Sequence, residues 1–340
     1  MLLQQSVEKQ WYGKPHWLWL LAPLSLVFWG LSRVRKPLQT LGAKPLTCPV
    51  IVVGNIAVGG TGKTPLIIAL ANTLINAGFS PAIVSRGYGV EIKTPTLVPP
   101  NGDTLIFGDE PVLVANSCAC PVIISQNRTA AVIAAQQTYG CDVVLSDDGL
   151  QHYRMARSFE IAVFDGARGI GNGWCLPVGP LRELSSRLDS VDFVVINGEG
   201  ELPHTSKKPV VHFSLQPMGW VNVKTGRSKA LSPLPWLAET GNNKHRILAV
   251  AGIGNPQRFF NTLTELGAFF NPKPHADHHI FTEYDFELAN GGPVVMTAKD
   301  AVKCRDLAES NWWYLAVEAS LPLALAQAVI DHCKQWPKVG

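Results

Sequence analysis

An α/β fold with a doubly wound, mostly parallel sheet is predicted by three features of this 340-residue chain. Short apolar, β-branched runs recur along it, each closed by glycine or polar residues, as strands buried on both faces should read. Segments with helical spacing stand between these runs, and such alternation builds parallel βαβ units. A glycine-rich turn, "AVGGTGKTP" from Ala57 to Pro65, joins the first run to the first helix. The carboxyl ends of the strands are therefore where function should gather.

Residues 1–36 form an expected N-terminal anchor. "WLWLLAPLSLVFWGL" (17–31) is the most apolar stretch, flanked by Lys14 and by Arg33, Arg35 and Lys36. As a helix its fifteen residues reach about 22 Å, short of the roughly 30 Å hydrocarbon layer. Trp11, Trp17, Trp19 and Trp29 suit the headgroup boundary, and the basic flanks suit anionic lipid heads. The expectation is an interfacial or re-entrant helix, peripheral or monotopic, and Pro23 permits a bend.

Residues 37–205 read as the principal α/β domain. "PVIVVGN" is a strand ending at the glycine turn, and "TPLIIALANTLINAG" is a helix stopping at Gly78. "PAIVSRGYG", "CPVIIS", "CDVVLSDDG", "EIAVFDG" and "VDFVVING" follow as strands, with "NRTAAVIAAQQTYG" as a helix closed by Gly140. Residues 206–340 begin with looser Pro- and Gly-rich sequence. "VVHFSL" and "WVNVKTG" suggest hairpin or linker strands, before "HRILAVAGIGNPQRFFNTLTELG", "GPVVMTAKDAVK" and "WWYLAVEA" restore a smaller α/β unit.

Composition excludes several classes. Hydrophobic residues are 46% and charged ones 16%, so the chain folds. A net charge of +3 without a dense basic stripe argues against nucleic acid. The seven cysteines are scattered, Cys118 and Cys120 being too close for a metal pair, which reads as reduced thiols. No protein partner is inferred.

The glycine turn comes close to G-x-x-x-x-G-K-[ST], the phosphate loop, but has Ala57 at the first glycine. Gly59, Gly60, Thr61 and Gly62 supply backbone N–H groups at a helix start, where donors and dipole favour phosphate. Lys63 can reach the terminal phosphates and Thr64 can bind Mg²⁺. Ala57 is compatible with this role if its φ stays negative. Asp147 and Asp148 end the strand "CDVVLSDDG", and two adjacent carboxylates that would repel each other are well explained by a shared Mg²⁺. The fold is thus P-loop NTPase-like. No N-K-x-D follows the later strand "VDFVVI", so ATP is favoured over GTP.

A phosphoryl acceptor requires a base for its hydroxyl proton. Asp109 and Glu110 in "GDEP", and Asp277 and His278 in "HADHH", are the candidates, a histidine oriented by a carboxylate being the better base near neutrality. His275 and His279 read as surface histidines, and a zinc site lacks a second ligand cluster.

Taken in order, "VGNIAVGGTGKTP", "SRGYG", "GDEPVL", "SDDGLQHYRMAR", "FDGARGIGNGWCLPVGPLRE", "AGIGNPQRFF", "ADHH", "TAKDAVKC" and "NWWYLAVEA" resemble the tetraacyldisaccharide 4'-kinase family of lipid A biosynthesis. The likeness runs from the anchor to near the C-terminus, and that family's phosphate loop commonly has a small residue at the position of Ala57. One departure is Ala298, where the family usually shows Glu.

The resemblance implies transfer of the γ-phosphate of MgATP to the 4'-hydroxyl of a tetraacyldisaccharide 1-phosphate, a glycolipid, giving lipid IVA. It implies a location at the cytoplasmic face of the bacterial inner membrane. It implies a catalytic pair of Asp109 with His278, assisted by Lys63; metal positions at Thr64, Asp147, Asp148 and Glu110; and contacts near the sugar from Gln151, His152, Arg182 and Glu183. The alternative reading is a membrane-attached P-loop ATPase acting as a nucleotide switch or assembly factor.

Overall fold

The computed structural model describes residues 2–14, 16–40, 46–87, 89–202, 207–232, 234 and 247–337. Helix α1 (Leu2–Trp11) leads through a 3₁₀ turn (Trp17–Leu21) into α2 (Ala22–Thr40). The first sheet follows: β1 (Val50–Gly54), α3 (Lys63–Asn76), β2 (Pro81–Ser85), β3 (Thr96–Leu97), α4 (Thr104–Phe107), α5 (Asp109–Ser117), β4 (Val122–Ile124), α6 (Arg128–Gln137), β5 (Val143–Asp147), β6 (Phe159–Asp165), β7 (Phe193–Asn197) and β8 (Val210–Phe213).

Its strand order is β3-β4-β2-β5-β1-β6-β7-β8, parallel throughout except for the short edge strand β3. Every residue of β1, β5, β6 and β7 is buried, as their unbroken apolar runs require when helices cover both faces. The chain winds from β1 out to β2 and β4, returns to insert β5 beside β1, then crosses to β6. The winding reverses at β1, so the carboxyl ends of β5, β1 and β6 frame a ready-made crevice. Register sets Asp147 level with Val53, one residue before the end of β1.

The second sheet contains β9 (Leu215–Asn222), β10 (Ser228–Lys229), β11 (Ile247–Ala251), β12 (Phe270–Pro274), β13 (Val294–Thr297) and β14 (Trp312–Ala319). Its order is β10-β9-β14-β13-β11-β12, with β9 antiparallel to both neighbours. Helix α7 (Pro256–Glu265) covers it through Phe259, Phe260 and Leu263, against Trp220 and Trp313. A short α8 (Ala298–Ala301) and α9 (Leu323–Gln335) complete the chain.

The expected division at residue 205 lies outside the described residues, and the sheets divide elsewhere. "VVHFSL" is shared between them: β8 belongs to the first sheet and β9 to the second, with Ser214 alone between. Helix α9 returns to the first unit, where Leu325, Val329 and Cys333 join the core containing Leu66 and Leu70. The two crossings are hydrogen-bonded together, Ser320 N donating to Ser214 O at 2.9 Å. We propose Ser214 and Ser320 as the unit boundaries.

The N-terminal helix is longer than its apolar run. It continues from Trp17 to Thr40, 24 residues whose most apolar 18-residue stretch has mean hydropathy 1.4, because Arg33, Arg35 and Lys36 extend it and Pro37 sits in its last turn. By length and composition alone it could cross a membrane. One face docks on the first unit: Leu18 is buried, Trp19 meets Trp174 edge-on, and the Ser25 hydroxyl donates to Cys175 O and accepts from Val178 N. Leu20, Leu24, Leu26, Val27, Leu31 and Val34 remain exposed.

Candidate active site

The phosphate loop is a backbone cradle. Gly62 caps α3 with φ +87° and, lacking a side chain, makes no cap hydrogen bond to the first N–H groups of the helix. A Cβ at Gly62 would lie 2.3 Å from Asn197 Nδ2, the group that holds Thr61 O, so glycine is required there. Ala57 is not among the residues with positive φ; it is buried and bridges Leu181. Its methyl group is part of the core, which removes the objection to the imperfect motif.

Asp147 and Asp148 share a strand end but not an environment. The Asp147 carboxyl is buried, and burial together with nearby Glu110 pushes it up to about 7. Its Oδ1 has no hydrogen-bond partner. Asp148 takes a left-handed φ of +47°, which turns its carboxylate toward Lys63 Nζ at 3.6 Å and Arg182 Nη1 at 3.1 Å. Burial works against that charge, but Lys63 and Arg182 outweigh it and bring Asp148 down to about 2. The turn is held from beneath by Arg128, whose buried guanidinium donates to Ser146 Oγ at 2.9 Å and to Asp147 O.

Opposite stands a pair drawn from the two units. Asp109 opens α5, is 6% exposed, and takes the His278 ring at 3.0 Å from Nδ1 to each carboxylate oxygen. Burial would raise its pKa; the His278 hydrogen bond and the charges of Lys299, His278 and Lys303 prevail, bringing it to about 2. The same bond raises His278 above the usual imidazole value. Lys299 ties the groups together, reaching Glu110 Oε1 at 2.7 Å and Asp277 Oδ1 at 2.8 Å.

The loop bearing His278 is braced by the two histidines expected at the surface. The His275 side chain is only 10% exposed and stacks on His279 at 4.2 Å, while His279 Nε2 lies 3.2 Å from Asp285 Oδ2. Burial first, then the His279 charge, keeps His275 below the usual imidazole value. Asp285 also accepts from Thr282 N, closing the turn. Asp300, fully buried, accepts from Gly252 N and Thr297 Oγ1, and so fixes the strand end whose Gly254 lies against Gly60.

The remaining expected residues fall into two groups. Arg182 links Asp148 to Gln151, its Nη1 lying 3.1 Å from Asp148 Oδ2 and 3.3 Å from Gln151 Oε1. Glu183 is occupied by Gln151 Nε2, the Tyr153 hydroxyl and Arg187, which makes it a brace for the loop. His152 lines the cleft, and burial with Arg128 and Arg157 nearby lowers it to about 4, so it is neutral. One cleft of about 1250 Å³ is lined by Lys63, Asp109, Asp147, Asp148 and His278, and also by Trp11, Phe28 and Arg35. Arg128 and Lys299 escaped sequence reading: "NR" resembles an ordinary helix start, and the lysine of "TAKD" resembles a solvated one. Ala298, the departure from the family pattern, begins α8 behind the Thr297 cap.

Known proteins resemble the chain over nearly its whole length. The family model for tetraacyldisaccharide-1-P 4'-kinase, LpxK, matches residues 17–334. A tetraacyldisaccharide 4'-kinase of Shewanella woodyi is 41% identical, covering 98% of this chain and 96% of that one. One of Pasteurella multocida is 44% identical over 92% and 93%. Among solved structures, LpxK from Aquifex aeolicus in complex with ATP shares the fold at a TM-score of 0.74 and 24% identity, over 94% of this chain and all of that one. The chain belongs to the tetraacyldisaccharide-1-P 4'-kinase family.

Proposed function

We infer that this chain is a kinase that transfers the γ-phosphate of ATP to the 4'-hydroxyl of tetraacyldisaccharide 1-phosphate, forming lipid IVA, and we propose the following roles for its residues. The observation that carries them is the 3.0 Å contact of Asp109 with His278 in the same cleft as Lys63. Phosphoryl transfer asks a protein for positioning and for charge, with little covalent chemistry. Gly59, Gly60, Thr61 and Gly62 present N–H groups to the phosphates, and Lys63 exchanges Asp148 for them when ATP binds. The proton of the 4'-hydroxyl comes to rest on His278. Asp109, near 2, is too weak a base to keep it but stabilises the imidazolium.

Asp147, Asp148 and Thr64 would hold Mg²⁺, with Glu110 adding charge beside them. The buried Asp147 Oδ1 lacks a partner, as a ligand oxygen built for a cation should. Bound Mg²⁺ supplies neutralisation of the phosphate charge. Four acyl chains keep the acceptor in the bilayer, at about 0.8 kcal/mol per buried CH₂. We propose that the exposed face of α2 enters that bilayer from the cytoplasmic side.

The test is phosphate transfer from labelled ATP to the purified disaccharide in mixed micelles, with and without Mg²⁺. Label in the glycolipid, with ATP consumption dependent on acceptor, is the expected result. Strong turnover without acceptor would support a nucleotide switch instead.

A further inference from the structure

We propose that Arg168 contacts the phosphate chain of ATP during transfer and that Tyr12, in the N-terminal segment, holds it in place. This rests on the kinase reading above. Arg168 sits in the turn after β6, on the opposite side of β1 from the Asp147 strand end. That turn is fixed from below: Asp165, buried, accepts from Ala167 N and Arg168 N through Oδ1. The guanidinium lies over the Tyr12 ring, 5.1 Å from its centroid. The Tyr12 hydroxyl donates to Val58 O at 3.2 Å, inside the phosphate loop itself.

At Gly59 the two groups converge. A Cβ built there would be 3.3 Å from Arg168 Nη1 and 3.9 Å from the Tyr12 hydroxyl, and Gly59 already needs φ +114°. Among the described residues no carboxylate pairs with the Arg168 side chain. Tyr12 and Arg168 both line the cleft that Lys63 enters. A cation stacked on an aromatic ring, with no salt-bridge partner among the described residues, beside the N–H groups of a phosphate loop, is arranged for an anion. Lys63 approaches the phosphates from the Asp148 side; Arg168 supplies a second cation from the β6 side, where charge on the transferred group develops. Tyr12 is then a positioning residue, acting through its ring on Arg168.

The experiment is steady-state transfer kinetics on the full-length protein in mixed micelles, wild type first. Arg168→Ala should lower kcat by ~10²-fold or more with KM for ATP changed far less, and added guanidinium should restore part of the loss. Arg168→Lys, lacking the planar fork, should recover little. Tyr12→Phe should keep most of kcat, Tyr12→Ala should lose nearly as much as Arg168→Ala, and the double variant should be no worse than Arg168→Ala alone. Wild-type transfer with near-normal kcat in Arg168→Ala, or additive losses in the double variant, would overturn the proposal. Absence of transfer in the wild type would instead sink the kinase reading.

Discussion

The phosphate loop and the Asp109–His278 pair face one cleft but are assembled differently. The loop is contiguous: strand, glycines, lysine and helix lie within Val50–Asn76, and its conformation is set by local φ angles and by side-chain hydrogen bonds from Asn55, Asn197 and Tyr12. The pair joins residues 169 positions apart, one from each unit, and depends on Lys299, His279, Asp285 and Asp300 to bring the His278 loop to α5. On the proposed roles, nucleotide binding should survive damage to the second region, whereas transfer should survive damage to neither.

The sharpest way to break that contrast is to remove one charge from each side. Lys63→Ala and Asp109→Asn should each lower kcat/KM for transfer by ~10³-fold. They should differ in equilibrium binding of a non-hydrolysable ATP analogue, which Lys63→Ala weakens and Asp109→Asn leaves nearly intact. Equal loss of analogue binding in both would mean that the two regions are not separable.

Titration gives the next test, because the two regions respond to pH for different reasons. As the proposed acceptor of the hydroxyl proton His278 must be neutral, and its contact with Asp109 raises its pKa. The acid limb of kcat should therefore fall above the ordinary imidazole value, and His278→Gln should lose that limb along with roughly 10²-fold of rate. Asp147, as a proposed Mg²⁺ ligand, must be ionised to act. Since burial and Glu110 push it up to about 7, Mg²⁺ affinity measured by calorimetry should strengthen as pH rises through that value. Asp147→Asn should flatten the dependence; an unchanged profile would place Mg²⁺ elsewhere.

A smaller effect is expected behind His278. His279→Ala removes the contact with Asp285 and one face of the His275 stack without touching the cleft's reacting groups. About tenfold in kcat is expected, the scale of a misplaced group, with analogue binding unchanged. A loss confined to thermal stability would reduce this cluster to packing.

These differences explain what was legible in the sequence. The strands of the first sheet were readable because burial on both faces leaves unbroken apolar runs, and the loop because its glycines and lysine are adjacent. Asp147 and Asp148 followed from a strand end. Asp109 and His278 were narrowed from the residues but paired only through family resemblance, since nothing in spacing tells that position 109 meets position 278. Arg128, Lys299 and Tyr12 left no signal: each is a common residue in an ordinary local pattern, made special by what the fold brings beside it. The extent of α2 was misjudged because charged residues at 33, 35 and 36 read as a flank, although a helix at the surface accommodates them.

Ala57 provides the finest test of the local side of the comparison. Restoring the general motif with Ala57→Gly changes no φ that requires glycine, since Ala57 lies outside the positive-φ set. The N–H cradle begins two residues later, at Gly59, so transfer rates and analogue binding should stay within about twofold of wild type. What changes is the core. Ala57 is 3% exposed and pairs with Leu181, and glycine there loses a buried methyl group and gains freedom in the unfolded chain. A destabilisation of about 1 kcal/mol in chemical denaturation is expected. If activity fell while stability held, Ala57 would be setting the path of the phosphate loop, and the loop would depend on its neighbours as much as the Asp109–His278 pair does.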